Sequence, residues 1–239
     1  MKSSACASWL LASSNTHAED KDARTQWPDH FFLSENFAPV HEEITADRLP
    51  VVGQIPPELD GMFLRNGPNP QFPPAGNYHW FDGDGMVHGI RFQEGRASFR
   101  NRYVRTEGWK QEHAAGKALW KGFADPLELK NVTARLLKGE NPFKNTANTA
   151  LVWHHGKLLA LWELGFPHEL SLPELETIGV YSFGGELCHA MTAHPKIDMK
   201  TGEMMAIGYS PLPPFLQYTV FDQMGRIAHT TPIPVHHPV

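Results

Sequence analysis

Short hydrophobic or alternating runs, each ended by turn-forming residues, repeat along the chain from about residue 27 onward. Residues 86–92 and 97–104 flank a turn at 93–96, and polar and apolar positions alternate in the second run. Alternation with a period of two places every other side chain on one face, as in a half-buried strand. Two such runs joined by a short loop that contains glycine predict a β-hairpin.

The same pattern returns further along the chain. Residues 150–153 and 158–162 flank a second turn, and the later run is apolar at every position, which predicts a buried strand. Residues 202–209, 216–221 and 226–230 predict three more strands separated by turns. Many short strands at near-regular spacing predict a sandwich, a barrel or a propeller, and spacing alone does not choose among these.

One α-helix is predicted within this series of strands, at residues 126–138. Asp125 is placed to cap its first turn, and Leu129, Val132 and Leu136 form an apolar stripe at helical spacing. Elsewhere the 20 Pro and 20 Gly residues disfavour long helices. The sequence therefore predicts an all-β fold with at most one or two short helices.

Composition and charge narrow the classes of function. The chain has 239 residues, of which 41% are hydrophobic and 20% charged, a balance typical of one globular domain. Its formal charge is −5 without a long run of like charge, so no nucleic-acid partner is predicted. No apolar run is long enough to span a membrane, and peripheral membrane contact stays open as an alternative.

The first residues differ in composition from the rest of the chain. Residues 1–26 are predicted to be a flexible leader, and residues 27–239 part of a single domain. Lys2, a weakly apolar run at 5–12 and small residues before Ala18 are compatible with a targeting segment, although interrupting Ser and Asn residues favour a disordered leader. A cytoplasmic location is favoured, with plastid or other targeting as the alternative.

Several uncommon sequence blocks occur in order along the chain. They are FLRNGPNP at 63–70, WFDGDGMVH at 80–88, NTA at 148–150, LALWE at 159–163 and TAHPKID at 192–198. Together they resemble the N-terminal half of the carotenoid cleavage oxygenases. That family comprises carotenoid and apocarotenoid oxygenases and is related to lignostilbene dioxygenases and retinyl ester isomerases.

The resemblance implies a seven-bladed β-propeller, of which this chain would form about the first half behind an extended N-terminal segment. It implies one iron(II) ion, Fe(2+), held on the propeller axis by four histidines from different blades. It also implies an enzyme that splits a conjugated carbon–carbon double bond with O2 into two carbonyl products. The expected substrate is a carotenoid or apocarotenoid, with a stilbene as the alternative.

Two residues are singled out as the candidate site. His194 matches the first iron ligand of the family; Pro195 restricts it to extended backbone, and a neutral imidazole suits Fe(II). Glu163 ends an apolar run, where an ionised carboxylate needs a donor. The resemblance implies that Glu163 accepts a hydrogen bond from an iron-bound histidine. The alternatives are a structural strand-end histidine and a glutamate that reaches solvent or an arginine.

Other candidate ligands are disfavoured. A calcium loop starting at Asp82 would need Asp or Asn at Met86 and Glu at Gln93, so the Asp-Gly repeat is read as a tight turn. His79 and His88 are read as structural neighbours of that turn. No other residues of this region are predicted to bind a metal.

Three further histidine groups are weaker still. Residues 41–43, His-Glu-Glu, formally begin a two-histidine, one-carboxylate iron site, but a solvated acidic segment is favoured. His154 with His155, and His236 with His237, are adjacent in sequence. Neighbours in a strand point to opposite faces, so neither pair easily serves one metal.

No segment up to Val239 resembles the other three ligand segments. A single imidazole cannot hold Fe(II) in a defined geometry, because affinity comes from several ligands fixed together. Three hypotheses therefore stand: a carotenoid-cleaving enzyme, a stilbene-cleaving enzyme, and an inactive fragment that binds an apolar ligand or a partner. In the last case, open propeller edges are predicted to aggregate or to recruit another protein.

Overall fold

The computed structural model describes residues 26–126, 129–137, 143–210 and 212–237. Within these ranges the chain forms twelve β-strands in three four-stranded antiparallel sheets, with two α-helices and three short 3-10 turns. The predicted leader, apart from Gln26, lies outside the described residues. No helix in the described ranges is long and apolar enough to cross a membrane.

The first sheet follows an extended N-terminal segment. Its strands are β1 (Thr45–Ala46), β2 (Gly61–Asn69), β3 (Asp84–Gln93) and β4 (Arg96–Tyr103), in the spatial order β1-β4-β3-β2. The predicted hairpin is confirmed, because β3 pairs with β4 from Met86–Tyr103 to Gln93–Arg96. Its loop consists of Glu94 and Gly95, with φ of 51° and 70°. Two positive φ angles are what a tight hairpin turn needs to match the strand twist.

The second and third sheets are meanders, in which each strand pairs with the next along the chain. The second contains β5 (Ala150–His154), β6 (Lys157–Leu161), β7 (His168–Leu170) and β8 (Thr177–Val180). The third contains β9 (Lys196–Ile197), β10 (Met204–Tyr209), β11 (Leu216–Phe221) and β12 (Ile227–Ile233). The strands predicted in these regions are thus confirmed, with β7, β8 and β9 in addition.

The two helices lie between the first and second sheets in sequence. They are α1 (Glu107–Ala115) and α2 (Leu129–Leu137). Helix α2 confirms the predicted helix in a shorter form, whereas α1 was not predicted. Thr106 caps α1 by accepting a hydrogen bond from the Trp109 amide at 3.2 Å, and Gly116, with φ of 64°, ends it. These are ordinary start and stop residues, but α1 has no strong apolar stripe to reveal it.

The core consists of the layers between successive sheets, and β6 contributes to two of them. Leu158 and Ala160 belong to the hydrophobic cluster between the first and second sheets, which includes Val87. Leu159 and Leu161 pack with the cluster shared with the third sheet, around Phe221. Four of the five residues of β6 are buried, all except Lys157, which confirms the prediction of a strand that is apolar on both faces. The three sheets are therefore stacked face to face, with the second in the middle.

Candidate functional site

The structure brings the two predicted site residues into contact. Nε2 of His194 lies 3.2 Å from Oε1 of Glu163. Glu163 follows the end of β6 by two residues, and His194 precedes β9 by two. The two segments are joined beside the pair, where the Met191 amide donates to the Gly165 carbonyl at 3.1 Å. The pair therefore lies where the second and third sheets meet, 31 residues apart in sequence.

Each side chain of the pair keeps an atom that can bind a further partner. The His194 amide donates to Thr192 Oγ1 at 3.1 Å, which holds its backbone in place. Its ring is 62% exposed, whereas the Glu163 side chain is 36% exposed. If Nε2 carries the proton and donates to Glu163, Nδ1 keeps a lone pair that can bind a metal. Glu163 Oε2 is buried and has no hydrogen-bond partner within the described part of the chain.

The fit of this pair to iron is partial. An imidazole oriented by a carboxylate is a suitable ligand for Fe(II). However, the described residues contain no group of three or more histidine, cysteine or acidic side chains placed to hold a metal ion. The pair therefore supplies the chemistry of one coordination position only. The roles of His194 as ligand and of Glu163 as acceptor remain predictions.

The Asp-Gly repeat is a structural turn. Asp82 Oδ2 accepts from the His79 amide at 2.8 Å, and the His79 ring accepts from the Phe81 amide, which caps a 3-10 turn at Trp80–Asp82. Asp84 is not part of this turn chemistry, because it is buried in an ion pair. His88 lies on β3, and burial lowers its pKa below the usual value.

Two of the three remaining histidine groups make structural contacts. Glu43 is not simply solvated as predicted, because it accepts from the Tyr103 amide at 2.7 Å and pairs with Arg105 at 2.9 Å. His154 Nε2 donates to the Gly202 carbonyl at 3.0 Å. His155 Nε2 lies 2.9 Å from the Tyr181 hydroxyl. The two neighbouring rings thus serve different contacts, as expected for adjacent residues.

A cavity of about 580 Å³ lies between the first sheet, the two helices and Trp162. Its walls come from the loop before β3, the two helices, the loop between them and the segment before β5, and they combine aromatic with charged side chains. Among the lining side chains are Phe72, Tyr78, Trp120, Phe123, Phe143 and Trp162. Trp162 directly precedes Glu163 in sequence, but neither Glu163 nor His194 itself lines the cavity. A cleft of this size, in which aromatic side chains stand beside polar ones, has the dimensions of a small-molecule site.

One wall of the cavity holds a buried group of three charges that the sequence did not predict. Lys144 Nζ lies 2.6 Å from Asp84 Oδ1 and 2.5 Å from Glu112 Oε2, and all three side chains are at least 90% buried. Burial raises the pKa of Asp84, although Lys144 opposes that shift. Burial would lower the pKa of Lys144, but the two carboxylates raise it overall. The group joins β3, α1 and the segment before β5.

Two hydroxyls on the same cavity are left unpaired. Tyr78 and Thr146 are 8% and 3% exposed, and neither side-chain oxygen has a hydrogen-bond partner within the described ranges. Burial and neighbouring carboxylates raise the pKa of the Tyr78 hydroxyl well above its usual range, so it stays protonated and can donate. Both oxygens have almost no accessible surface, so they lie inside the wall of the cavity rather than at its surface.

Comparison with known proteins identifies the family. Residues 37–239 match the sequence profile of the family described as retinal pigment epithelial membrane protein. The chain belongs to this family, which includes the carotenoid cleavage oxygenases. The resemblance drawn from the sequence blocks is therefore confirmed.

Several relatives in the family are named enzymes. The chain is 43% identical to carotenoid 9,10(9',10')-cleavage dioxygenase 1 of Arabidopsis thaliana over 221 residues, which cover 87% of this chain and 41% of the relative. It is 42% identical to resveratrol cleavage oxygenase 1 of Aspergillus fumigatus over 194 residues, 79% of this chain and 36% of the relative. The chain thus spans about two fifths of the length of these relatives.

Solved structures give the same result for the fold. Lignostilbene dioxygenase of Pseudomonas brassicacearum aligns with a TM-score of 0.74 at 31% identity, covering 86% of this chain and 42% of that chain. A Synechocystis apocarotenoid oxygenase aligns with a TM-score of 0.66 at 30% identity, covering 81% of this chain and 42% of that chain. The all-β class predicted from the sequence is confirmed.

Proposed function

We propose that this chain is the N-terminal part of an iron(II)-dependent oxygenase that cleaves a conjugated carbon–carbon double bond of a carotenoid or apocarotenoid. The observation that carries the proposal is the contact between His194 and Glu163 where the second and third sheets meet. The carotenoid-cleaving relatives support the substrate class. Because the chain spans 41% of such a relative, the activity belongs to the whole protein.

We propose further that the three sheets are blades of a seven-bladed propeller. Each is four-stranded and antiparallel, and the middle sheet buries side chains on both faces, as a blade between two others does. A propeller places the inner ends of its blades around one axis. Side chains from successive blades, such as His194 and Glu163, would then converge on that axis.

In this proposal His194 provides one imidazole of the iron site and Glu163 fixes the orientation of a ring. The iron, when bound, would activate O2, whose two oxygen atoms end on the two carbons of the former double bond. Aromatic walls exclude water and hold an extended polyene by apolar contact. The unpaired Glu163 Oε2 is suited to accept a second hydrogen bond from another ring nitrogen or a water.

A stilbene is the second candidate substrate. Both the lignostilbene dioxygenase and the resveratrol cleavage oxygenase are relatives with this region in common. Stilbenes of this type carry phenolic hydroxyls, and the polar side chains that line the cavity offer hydrogen-bond partners for them.

The test is product analysis with the full gene product, reconstituted with Fe(II) under air. A carotenoid, an apocarotenal and a stilbene are incubated side by side, and carbonyl products are identified by mass spectrometry. Paired carbonyl fragments from either polyene are expected. Fragments from the stilbene alone would favour the second candidate, and binding without turnover by iron-loaded protein would contradict both.

A further inference from the structure

A second cavity, of about 280 Å³, lies on the first sheet and shares no lining residue with the first. Its floor is formed by β3 and β4, and Pro173, in the turn between β7 and β8, lies at its side. Arginine is the most frequent residue in its lining. Three arginines line it, namely Arg91, Arg96 and Arg100.

The strand register explains why these arginines share one face. Arg91 lies opposite Ser98, Gln93 opposite Arg96, and Gly89 opposite Arg100. Directly paired residues in antiparallel strands carry side chains on the same face, about 5 Å apart. Positions two apart on β4 repeat that face at roughly 7 Å. Arg91 on β3 therefore lies across from Ser98 on β4. Arg96 and Arg100 lie two positions before and after Ser98 on the same face of β4.

Apolar side chains fill the space beside Gly89 on this face. This glycine has no side chain, and an added Cβ there would overlap the Met62 terminal methyl group and lie 3.0 Å from Leu64 Cδ2. The side chains of Met62 and Leu64 on β2 thus form an apolar surface beside the arginines. A guanidinium can lay its stem along such a surface while its charged end points into the cavity.

The three guanidinium groups form no ion pair among the described residues, although Arg102 and Arg105 nearby each do. The acidic side chains that line the cavity are Asp47 and Glu94, both exposed. Three arginines against two carboxylates leave one net positive charge, and grouped like charges repel unless an anion lies between them.

We propose that this cavity binds a phosphoryl oxyanion, either as a free phosphate compound or as the headgroup of an anionic lipid. Arginine forks match the paired oxygens of a phosphoryl group, and three forks around one centre give it several charge-assisted hydrogen bonds. The Ser98 hydroxyl at the centre of the group supplies a further donor. The site is independent of the iron chemistry, because the cavities are separate.

Pyrophosphate is the probe for the free ligand, titrated by calorimetry into the purified protein at low ionic strength. Saturable binding at one site is expected, weakening with added salt. Arg91→Gln and the more exposed Arg96→Gln should each weaken it by about tenfold or more, since a hydrogen bond to a charged group is lost. Arg65→Gln is the matched control, because Arg65 lies on the opposite face of the same sheet, and it should leave the affinity unchanged.

Vesicles distinguish the source of the ligand. A lipid headgroup is supported if vesicles of phosphatidylcholine with phosphatidic acid capture the protein and vesicles of phosphatidylcholine alone do not. Arg96→Gln should then abolish this capture. Pyrophosphate binding without such capture supports a soluble ligand. The proposal is overturned if neither probe binds saturably, or if Arg65→Gln weakens binding as much as Arg96→Gln does in a protein with unchanged melting temperature.

Discussion

The buried charge group beside the larger cavity gives the sharpest prediction about stability. Replacing Lys144 by Met removes the cation that lies 2.6 Å from Asp84 and 2.5 Å from Glu112. Methionine is close to lysine in length, so the change removes charge with little change in packing. Both carboxylates would then be buried without their common partner.

The magnitude follows from the burial of the group. The Asp84 and Glu112 side chains are 2% and 5% exposed, so water cannot replace the lost ammonium. Removing one partner from a buried ion pair costs about 3–5 kcal/mol of unfolding free energy. Burial already raises the pKa of Asp84, and loss of Lys144 raises it further. Because of this raised pKa, the folded variant takes up a proton on Asp84 at a higher pH than the unfolded chain does. The stability that the variant has lost relative to wild type therefore becomes smaller as pH falls.

Urea unfolding of Lys144→Met and wild-type protein at pH 7 and pH 5 measures both effects. The variant should be less stable by several kcal/mol at pH 7, with a smaller deficit at pH 5. Arg226→Met is the control, since it breaks an ion pair with Asp222 whose arginine is 75% exposed, and little change is expected. A deficit no larger than that of the control, or one that does not change with pH, would refute the reasoning.

Three further predictions follow from single contacts. Burial lowers the pKa of His168 to about 4, so as pH falls the unfolded chain takes up this proton before the folded protein does. The free energy of unfolding should therefore fall by about 3 kcal/mol between pH 6.5 and pH 4. His168→Gln should flatten that part of a curve of unfolding free energy against pH. Gly85→Ala should lower the melting temperature strongly, because a Cβ would overlap the Ala147 carbonyl oxygen, whereas Gly67→Ala meets no atom within 4 Å and should be neutral. Glu163→Gln should lower iron affinity in the full gene product by about 10- to 100-fold while leaving the melting temperature unchanged, as measured by metal titration.

Local pattern was sufficient to predict most strands. The hairpin of β3 and β4 follows from alternation and from a Glu-Gly turn, and the buried strand β6 follows from an unbroken apolar run. Helix α1 was missed because its buried residues include Gly108 and Glu112, which carry no amphipathic signal. Tertiary contacts rather than periodicity stabilise it, notably the ion pair of Glu112 with Lys144.

The candidate site could be predicted only in part. His194 and Glu163 were singled out by their sequence blocks, but their contact depends on how two sheets stack, which no local pattern specifies. The ion pair of Asp84 with Lys144 joins residues 60 positions apart and has no motif. The grouping of Arg91, Arg96 and Arg100 on one face could be predicted only with the register of β3 against β4. A shift of one residue in that register would place Arg91 on the opposite face from the other two.

The central claim is that His194 is an iron ligand, and iron content tests it most directly. The full gene product is loaded with Fe(II), desalted and analysed for metal and protein, together with His194→Ala and the control His41→Gln. Wild-type protein and the control are expected to retain one iron per chain, and His194→Ala to retain almost none at an unchanged melting temperature. Full iron retention by His194→Ala would contradict the account.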